Sequence, residues 1–257
     1  MTIFIFDNTL EGLLTSVFEA YARRLFPDTL VAEGAPLPLF HEQAISVHTD
    51  EAKAKRVWHG LEKRLSPTAL RCVAACWLAE EADTPDVMFR FLCKVFDSPR
   101  RIETNFGDPD VLAFTQMWRR VNGERTRLMQ FLRFQKAADG TYFAPLEPEK
   151  NALPLLIPHL RDRFADQCWL IWDMKRAYGF YYDLHEVHHI TFQDTDSPPH
   201  LPADGRLAQE MLDKDELFFQ SLWKTYFHAI AIRERTNPRK QRSDMPVRYW
   251  KYLTEKQ

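Results

Sequence analysis

The chain has 257 residues, carries a formal net charge of −2, and is 45% hydrophobic and 13% aromatic. This composition supplies enough apolar side chains for one large globular domain or two smaller ones. The small net charge excludes a polycation that binds nucleic acid through its total charge. Only four cysteines are present and no run reaches the ~20 apolar residues of a membrane span, so we expect a cytoplasmic protein with reduced thiols.

The N-terminal region, residues 1–105, is predicted to be mostly helical. It opens with an apolar run, residues 2–6, that is typical of a short buried strand. Asp7-Asn8-Thr9 then forms a turn and a cap for a helix from Leu10, whose apolar side chains recur at helical spacing. Residues 44–47 fit a second strand. A capping side chain or a Ser/Thr-Pro step predicts three further helix starts, at Asp50, Ser66-Pro67 and Thr84-Pro85.

Residues 106–257 are predicted to form an α+β domain. A helix is expected from Asp108-Pro109 to about Leu128, with Asn122-Gly123 as a point of interruption. Strands are predicted at residues 129–136, 141–146, 168–174 and 178–182. Asp139-Gly140 is a strong hairpin signal between the first two strands, and a helix over residues 151–164 separates the second strand from the third.

The order strand-strand-helix-strand-strand favours a mainly antiparallel sheet with helices on one face. The predicted fold class is therefore α+β: a helical N-terminal half followed by this sheet, which C-terminal helices cover. The covering helix is predicted at residues 207–235, after a loop rich in Pro and Asp at residues 194–205. Its predicted core side consists of Leu217, Phe218, Trp223, Phe227 and Ile230.

Basic and aromatic residues alternate near the C-terminus. Between Lys224 and Lys256 there are nine Lys or Arg and three Asp or Glu. Basic side chains neutralise phosphates, and aromatic rings stack on unpaired bases for ~1–3 kcal/mol each. The predicted nucleic-acid-binding residues of this segment are Arg239, Arg242, Arg248 and Lys251 for phosphates, with Tyr249 or Trp250 for stacking. An equally supported interpretation is a solvated basic tail whose aromatic rings dock it onto the core.

Two other stretches carry an excess of one charge. Residues 119–136 contain six basic residues and one acidic residue, and Arg133 in this set is predicted to extend the phosphate-binding track. The alternative, which the sequence alone favours, is ordinary helix-surface charge with Glu124 as a partner. Residues 186–217 contain eight acidic and two basic residues, a pattern that fits a docking surface for another protein.

Motifs for several catalytic classes are incomplete. Asp7-Asn8-Thr9 is similar to the first motif of haloacid-dehalogenase phosphatases, but Thr9 stands where a second Asp is required, so we interpret Asp7 as a capping residue. His185-Glu186-Val187-His188-His189 lacks the spacing of a zinc-protease helix and fits a polar strand end. Cys72 and Cys76 fit buried structural thiols. We therefore predict no metal site and no cofactor, and we assign no catalytic residue.

Three groups of segments together resemble one bacterial family of unknown function, described as DNA metabolism or DNA repair proteins. They comprise residues 6–21, then residues 131–134, 142–148 and 158–164, and finally residues 237–239 and 245–255. The resemblance spans nearly the whole chain. It implies a role in DNA metabolism and a radical S-adenosylmethionine protein as partner. Domains resembling uracil-DNA glycosylase also occur fused to the C-terminal part of this family.

The resemblance and the basic C-terminal segment lead to one main hypothesis, a DNA-binding accessory factor that presents DNA to this partner enzyme. A second hypothesis is a DNA repair enzyme in its own right, with His159, Glu147 and Asp173 as candidate acid-base groups. A third is a protein-interaction scaffold without direct DNA binding, in which the acidic residues 186–217 dock the partner.

Overall fold

The computed structural model describes residues 1–191, 205–232 and 235–256. The fold is α+β, as predicted, and the chain divides into two compact units, Met1–Asn122 and Gly123–Gln257. The predicted domain boundary between residues 105 and 106 stays a prediction. Of the predicted loop at residues 194–205, only Gly205 belongs to the described residues. Within the described chain, no helix combines the length and the apolar character needed to cross a bilayer.

The N-terminal unit contains a three-stranded parallel sheet. Its strands are β1 (Thr2–Phe6), β2 (Thr29–Ala32) and β3 (Gln43–Ser46), arranged in the order β2-β1-β3. Both neighbours of β1 run parallel to it, and Ile3 and Phe4 in this central strand are fully buried. The strands β1 and β3 were predicted. β2 was not, because Thr29–Ala32 is short and follows a proline-containing loop.

Four helices of this unit begin where the capping signals place them. They are α1 (Leu10–Arg23), α2 (Glu51–Arg64), α3 (Pro67–Trp77) and α4 (Thr84–Asp97). The side chains of Thr9, Asp50 and Ser66 accept hydrogen bonds from backbone N–H groups in the first turns of α1, α2 and α3. At α4 the N-cap position is Asp83 rather than Thr84, and the Thr84 hydroxyl accepts a hydrogen bond from the Glu81 N–H.

The long helix α5 (Pro109–Phe131) belongs to both units, since the division falls at Asn122. The predicted interruption at Asn122-Gly123 is wrong, because the helix continues through this step. The predicted strand over residues 129–136 is also largely wrong. The helix extends to Phe131, whose side chain packs in the core with that of Leu128, and only Gln135–Lys136 pairs as a strand.

The C-terminal unit contains a five-stranded sheet in which most neighbours are antiparallel. Its strands, in spatial order, are β4 (Gln135–Lys136), β5 (Tyr142–Leu146), β6 (Trp169–Asp173), β7 (Tyr178–Tyr182) and β8 (Val187–Thr191). The pair β5–β6 is parallel. A parallel pair needs a crossover connection, and α6 (Ile157–Arg163) lies in it. The edge strand β8 adds to the four strands that were predicted.

The last part of the chain contributes α7 (Glu216–Ile230), α8 (Pro238–Asp244) and a 3-10 turn at Val247–Tyr252. The 3-10 turn delivers Tyr249 to the sheet core, and Leu253 follows it there. The predicted core side of α7 is largely wrong, because four of its five side chains are exposed and Phe227 is only half-buried. The exposed fractions are 49% for Leu217, 62% for Phe218, 39% for Trp223 and 55% for Ile230.

Candidate nucleic-acid interface

Two of the predicted phosphate ligands, Arg239 and Arg242, lie on the surface of α8. The Asn237 side chain caps this helix by accepting a hydrogen bond from the Lys240 N–H. Arg239 and Arg242 are three residues apart and therefore share one helix face. Both are exposed, and neither forms an ion pair within the described residues. Their charge is available to an anionic ligand.

The side chains of Arg248 and Tyr249 are engaged in contacts with buried residues of the C-terminal unit. The Tyr249 ring is 1% exposed and packs against Phe131, with 5.4 Å between the ring centroids. Burial raises the pKa of the Tyr249 hydroxyl. Arg248 Nη2 donates to Glu124 Oε2 at 2.6 Å, and Glu124 is itself 1% exposed. A buried ring offers no face to a base, so Tyr249 is unable to supply the predicted stacking contact in this structure.

Trp250 and Lys251 are also engaged. Trp250 is half-buried, and its Nε1 donates to the Met245 carbonyl at 3.0 Å. Lys251 forms an ion pair with Glu147, which accepts a second hydrogen bond from the Tyr252 hydroxyl. The Lys251 hydrogen bond is the main reason why the pKa of Glu147 lies below its usual value. These contacts attach the C-terminal segment to the end of β5.

Arg133 is held by a buried carboxylate. Its Nε and Nη2 donate to the two oxygens of Glu255 at 3.2 and 2.6 Å, and its Nη1 donates to the Gln130 and Leu132 carbonyls. Trp223 Nε1 donates to the same Glu255 carboxylate at 2.9 Å. Burial opposes ionisation of Glu255, but the hydrogen bonds from Arg133 and Trp223 outweigh it and lower the pKa.

A cleft of about 310 Å³ lies beside Arg133. We call it the cationic cleft, and its basic and amide side chains are those of Arg133, Gln135, Arg206, Gln209, Gln220 and Lys224. Among the described residues that line it, none is Asp or Glu. Because the charge of Arg133 is already balanced by Glu255, the positive excess of the cleft is assigned to Lys224, which forms no ion pair within the described residues.

The segment before α7 is fastened to β4, and this places Arg206 at the cleft. Gln135 Nε2 donates to the Gly205 carbonyl, and its Oε1 accepts from the Leu207 N–H, both at 3.0 Å. Further along, Lys136 pairs with Asp213 at 3.2 Å. The helix that starts shortly afterwards supplies the opposite wall with Gln220 and Lys224. The cleft is therefore built entirely within the C-terminal unit.

Two exposed aromatic rings lie on α7, the helix that also contributes Gln220 and Lys224 to the cleft. Trp223 is 39% exposed and Tyr226 is 56% exposed, with 5.8 Å between their ring centroids. The Arg133 guanidinium lies 5.6 Å from the Trp223 ring. Sequence reasoning assigned Trp223 to the core, because aromatic residues at helical spacing are the usual sign of a buried face. The signal that distinguishes this helix is that apolar residues occupy more than one of its faces.

Two of the three candidate acid-base groups have structural partners. Asp173 is fully buried and accepts hydrogen bonds from the Lys175 and Arg176 N–H groups and from Arg176 Nη1, which closes the turn between β6 and β7. Glu147 is paired with Lys251, as described above. His159 is half-buried on α6. The three side chains lie on separate elements, and no described contact joins them.

The histidine cluster lies on and before the edge strand β8. His188 Nε2 lies 3.0 Å from Asp183 Oδ2, and His189 stacks on Tyr178 with 5.3 Å between the rings. In the part of the chain that the structure describes, no group of three or more His, Cys, Asp or Glu side chains is arranged to hold a metal ion. The thiol pKa of Cys76 is raised by burial, which fits a structural role.

The protein has an α+β fold with a cationic cleft and neighbouring exposed aromatic rings. It belongs to the family described as a domain of unknown function (DUF4130), whose model matches residues 82–255, well over half of the chain. This range includes α5, the whole five-stranded sheet and the cleft. No curated protein and no solved structure matches the chain. Membership of a family of unknown function is thus confirmed, and the link to DNA stays a prediction.

Proposed function

We propose that this protein is an accessory factor that binds unpaired DNA at the cationic cleft and along α7. The observation that carries the proposal is the pairing of a cleft whose described lining residues include no Asp or Glu with two exposed rings, Trp223 and Tyr226, on the helix that lines it. Proteins that bind single strands combine a positively charged groove with aromatic rings on which bases stack.

Each part of the surface has a separate task in this proposal. Lys224 neutralises a phosphate in the cleft, and Arg239 and Arg242 on α8 add further phosphate contacts. The Trp223 ring stacks on a base whose own face is open. In a duplex the base faces are covered by their neighbours, so the proposal includes a preference for single strands.

A partner enzyme supplies the chemistry in this proposal. The family resemblance implies a radical S-adenosylmethionine protein in that role. The structure favours an accessory role over a catalytic one, because Glu147 and Asp173 are engaged in hydrogen bonds within the fold. The scaffold hypothesis rests on residues 186–217, and residues 192–204 of that stretch lie outside the described residues.

Fluorescence anisotropy with a labelled single strand and the matched duplex tests this proposal. Trp223→Ala together with Tyr226→Ala should weaken single-strand binding at least about tenfold, since each stacking contact contributes ~1–3 kcal/mol. Duplex binding should change little. Phe40→Ala is the matched control, because Phe40 is an aromatic residue with 89% exposure in the N-terminal unit. Unchanged single-strand binding in the double variant would refute the stacking role.

A further inference from the structure

A second groove, formed by α1, α2 and α4 of the N-terminal unit, has an apolar floor and basic walls. Its volume is about 580 Å³, within the ~300–1,000 Å³ range that is typical of ligand-binding clefts. Val17, Phe18, Val57 and Phe96 contribute the apolar floor, and Arg56 and Arg64 form the walls. We call it the arginine groove. None of its lining residues, all of them in the described chain, is acidic.

The two arginines are held in place without an ion pair. The Arg56 guanidinium lies 5.6 Å from the centroid of the Phe18 ring, and that of Arg64 lies 5.2 Å from the Phe96 ring. Neither forms a salt bridge within the described residues. Cation–π contacts of this kind orient a guanidinium while leaving its N–H groups free to donate.

Gly60 allows the groove to form at this width. A Cβ atom at Gly60 would lie 2.7 Å from Cε1 of Phe96, so only glycine lets α2 approach this ring so closely. Tyr21 closes one end, where its hydroxyl donates to Asp97 at 2.6 Å and lies 3.0 Å from the Cys93 carbonyl oxygen. The groove is therefore a defined feature of the packing of α1, α2 and α4.

We propose that the arginine groove binds a peptide segment of a partner protein in which acidic residues alternate with aliphatic or aromatic ones. The carboxylates pair with Arg56 and Arg64, for which bidentate geometry is available. The apolar side chains of the peptide contact Phe18 and Phe96, which are only half-buried. Charge complementarity favours this occupant over a basic segment.

The same geometry disfavours nucleic acid as the occupant. A base would need an exposed ring for stacking, whereas Phe18 and Phe96 are both half-buried. A phosphate backbone offers no apolar side chains to the floor of the groove. A separate groove near Trp58 has three acidic lining residues, Glu11, Glu51 and Glu62, against one lysine, Lys55. We expect it to bind an acidic peptide less well.

Anisotropy with a fluorescein-labelled peptide, in which Asp and Glu alternate with Leu and Phe, tests the proposal on the full chain. The affinity for the peptide should fall at least about tenfold in Arg56→Glu/Arg64→Glu, because attraction is replaced by repulsion. Arg71→Glu is the control, since Arg71 is exposed on α3 and lines neither groove. The milder Arg56→Gln/Arg64→Gln should also weaken binding, and circular dichroism checks that each variant is folded.

Three outcomes would overturn the proposal. One is absence of binding by the wild-type protein, and another is equal binding by the arginine variants. The third outcome is that single-stranded DNA binds more tightly than the peptide and depends on Arg56 and Arg64 in the same way. Arg239→Glu/Arg242→Glu should retain peptide binding, so failure here is distinguishable from failure of the DNA-binding proposal.

Discussion

At the residue scale, some basic residues of the C-terminal segment stabilise the fold and others are exposed for binding. One pair of substitutions distinguishes the two groups. Arg248→Ala removes the closer cation of the buried Glu124 carboxylate and leaves only Arg127 at 3.8 Å, so it should lower the free energy of unfolding by about 2 kcal/mol, less than for a fully buried pair because Arg248 is partly exposed. Arg242→Ala should change stability by less than about 0.5 kcal/mol but weaken DNA binding. Urea denaturation and anisotropy measure the two effects. Equal stability of both variants would contradict this assignment.

The pKa of Glu255 determines how this residue makes the stability of the folded protein depend on pH. Its pKa is lowered in the folded protein from the ordinary 4.5, so the stabilisation is present above that value and lost as the pH falls through the folded pKa. Other carboxylates behave similarly, so the comparison is made with Glu255→Gln. This variant should be less stable at neutral pH and should lose less stability on acidification. Parallel stability curves, from urea titrations at several pH values, would rule out this contribution.

The sequence predicts the site only in part, for reasons visible at single residues. It identifies Arg239 and Arg242 as surface cations, because a helix rich in Arg and Lys stays solvated. It leaves the position of Tyr249 open between stacking and docking, and the structure shows it in the core. The partner of Arg248 is Glu124, far away along the chain. Such long-range pairs have no local signature in a single sequence.

At the scale of elements, two glycines should respond to alanine in opposite ways. Gly179 in β7 lies so close to β6 that a Cβ atom would be 2.3 Å from the Ile171 carbonyl oxygen, so Gly179→Ala should destabilise the protein by about 1–3 kcal/mol. Gly123 in α5 has open space around it, and Gly123→Ala should stabilise by up to about 1 kcal/mol. Thermal unfolding measures both. A destabilised Gly123→Ala would show that the helix needs glycine there.

Local patterns predict the elements better than they predict the pairing between them. Thr9, Asp50 and Ser66 mark helix starts correctly, because the cap is a contact within one turn. The parallel pairing of β5 with β6 depends on the crossover through α6 and on burial of both strands. The hydrophobic periodicity of a strand does not specify either of these. For α7 the sequence predicts the helix but not its burial, since an apolar helix face has the same pattern whether it is buried or exposed.

At the scale of the whole molecule, a net charge of −2 conceals separate charged surfaces. The cationic cleft and the exposed face of α8 carry positive charge in the C-terminal unit, and the arginine groove carries it in the N-terminal unit. Local fields of this kind attract anionic ligands even when the total charge is close to zero. We therefore expect the affinity for DNA to depend on specific residues and on salt, rather than on the isoelectric point.

The most direct measurement is the affinity for a labelled single strand over a salt series, compared between the wild type and Arg239→Glu/Arg242→Glu. We predict that the logarithm of the binding constant falls linearly with the logarithm of the salt concentration, and that the variant has a shallower slope, by about 0.7 for each phosphate contact removed. Absence of binding at low salt, or identical affinities and slopes for the two proteins, would contradict the proposal that DNA binds at the cationic cleft with phosphate contacts to Arg239 and Arg242.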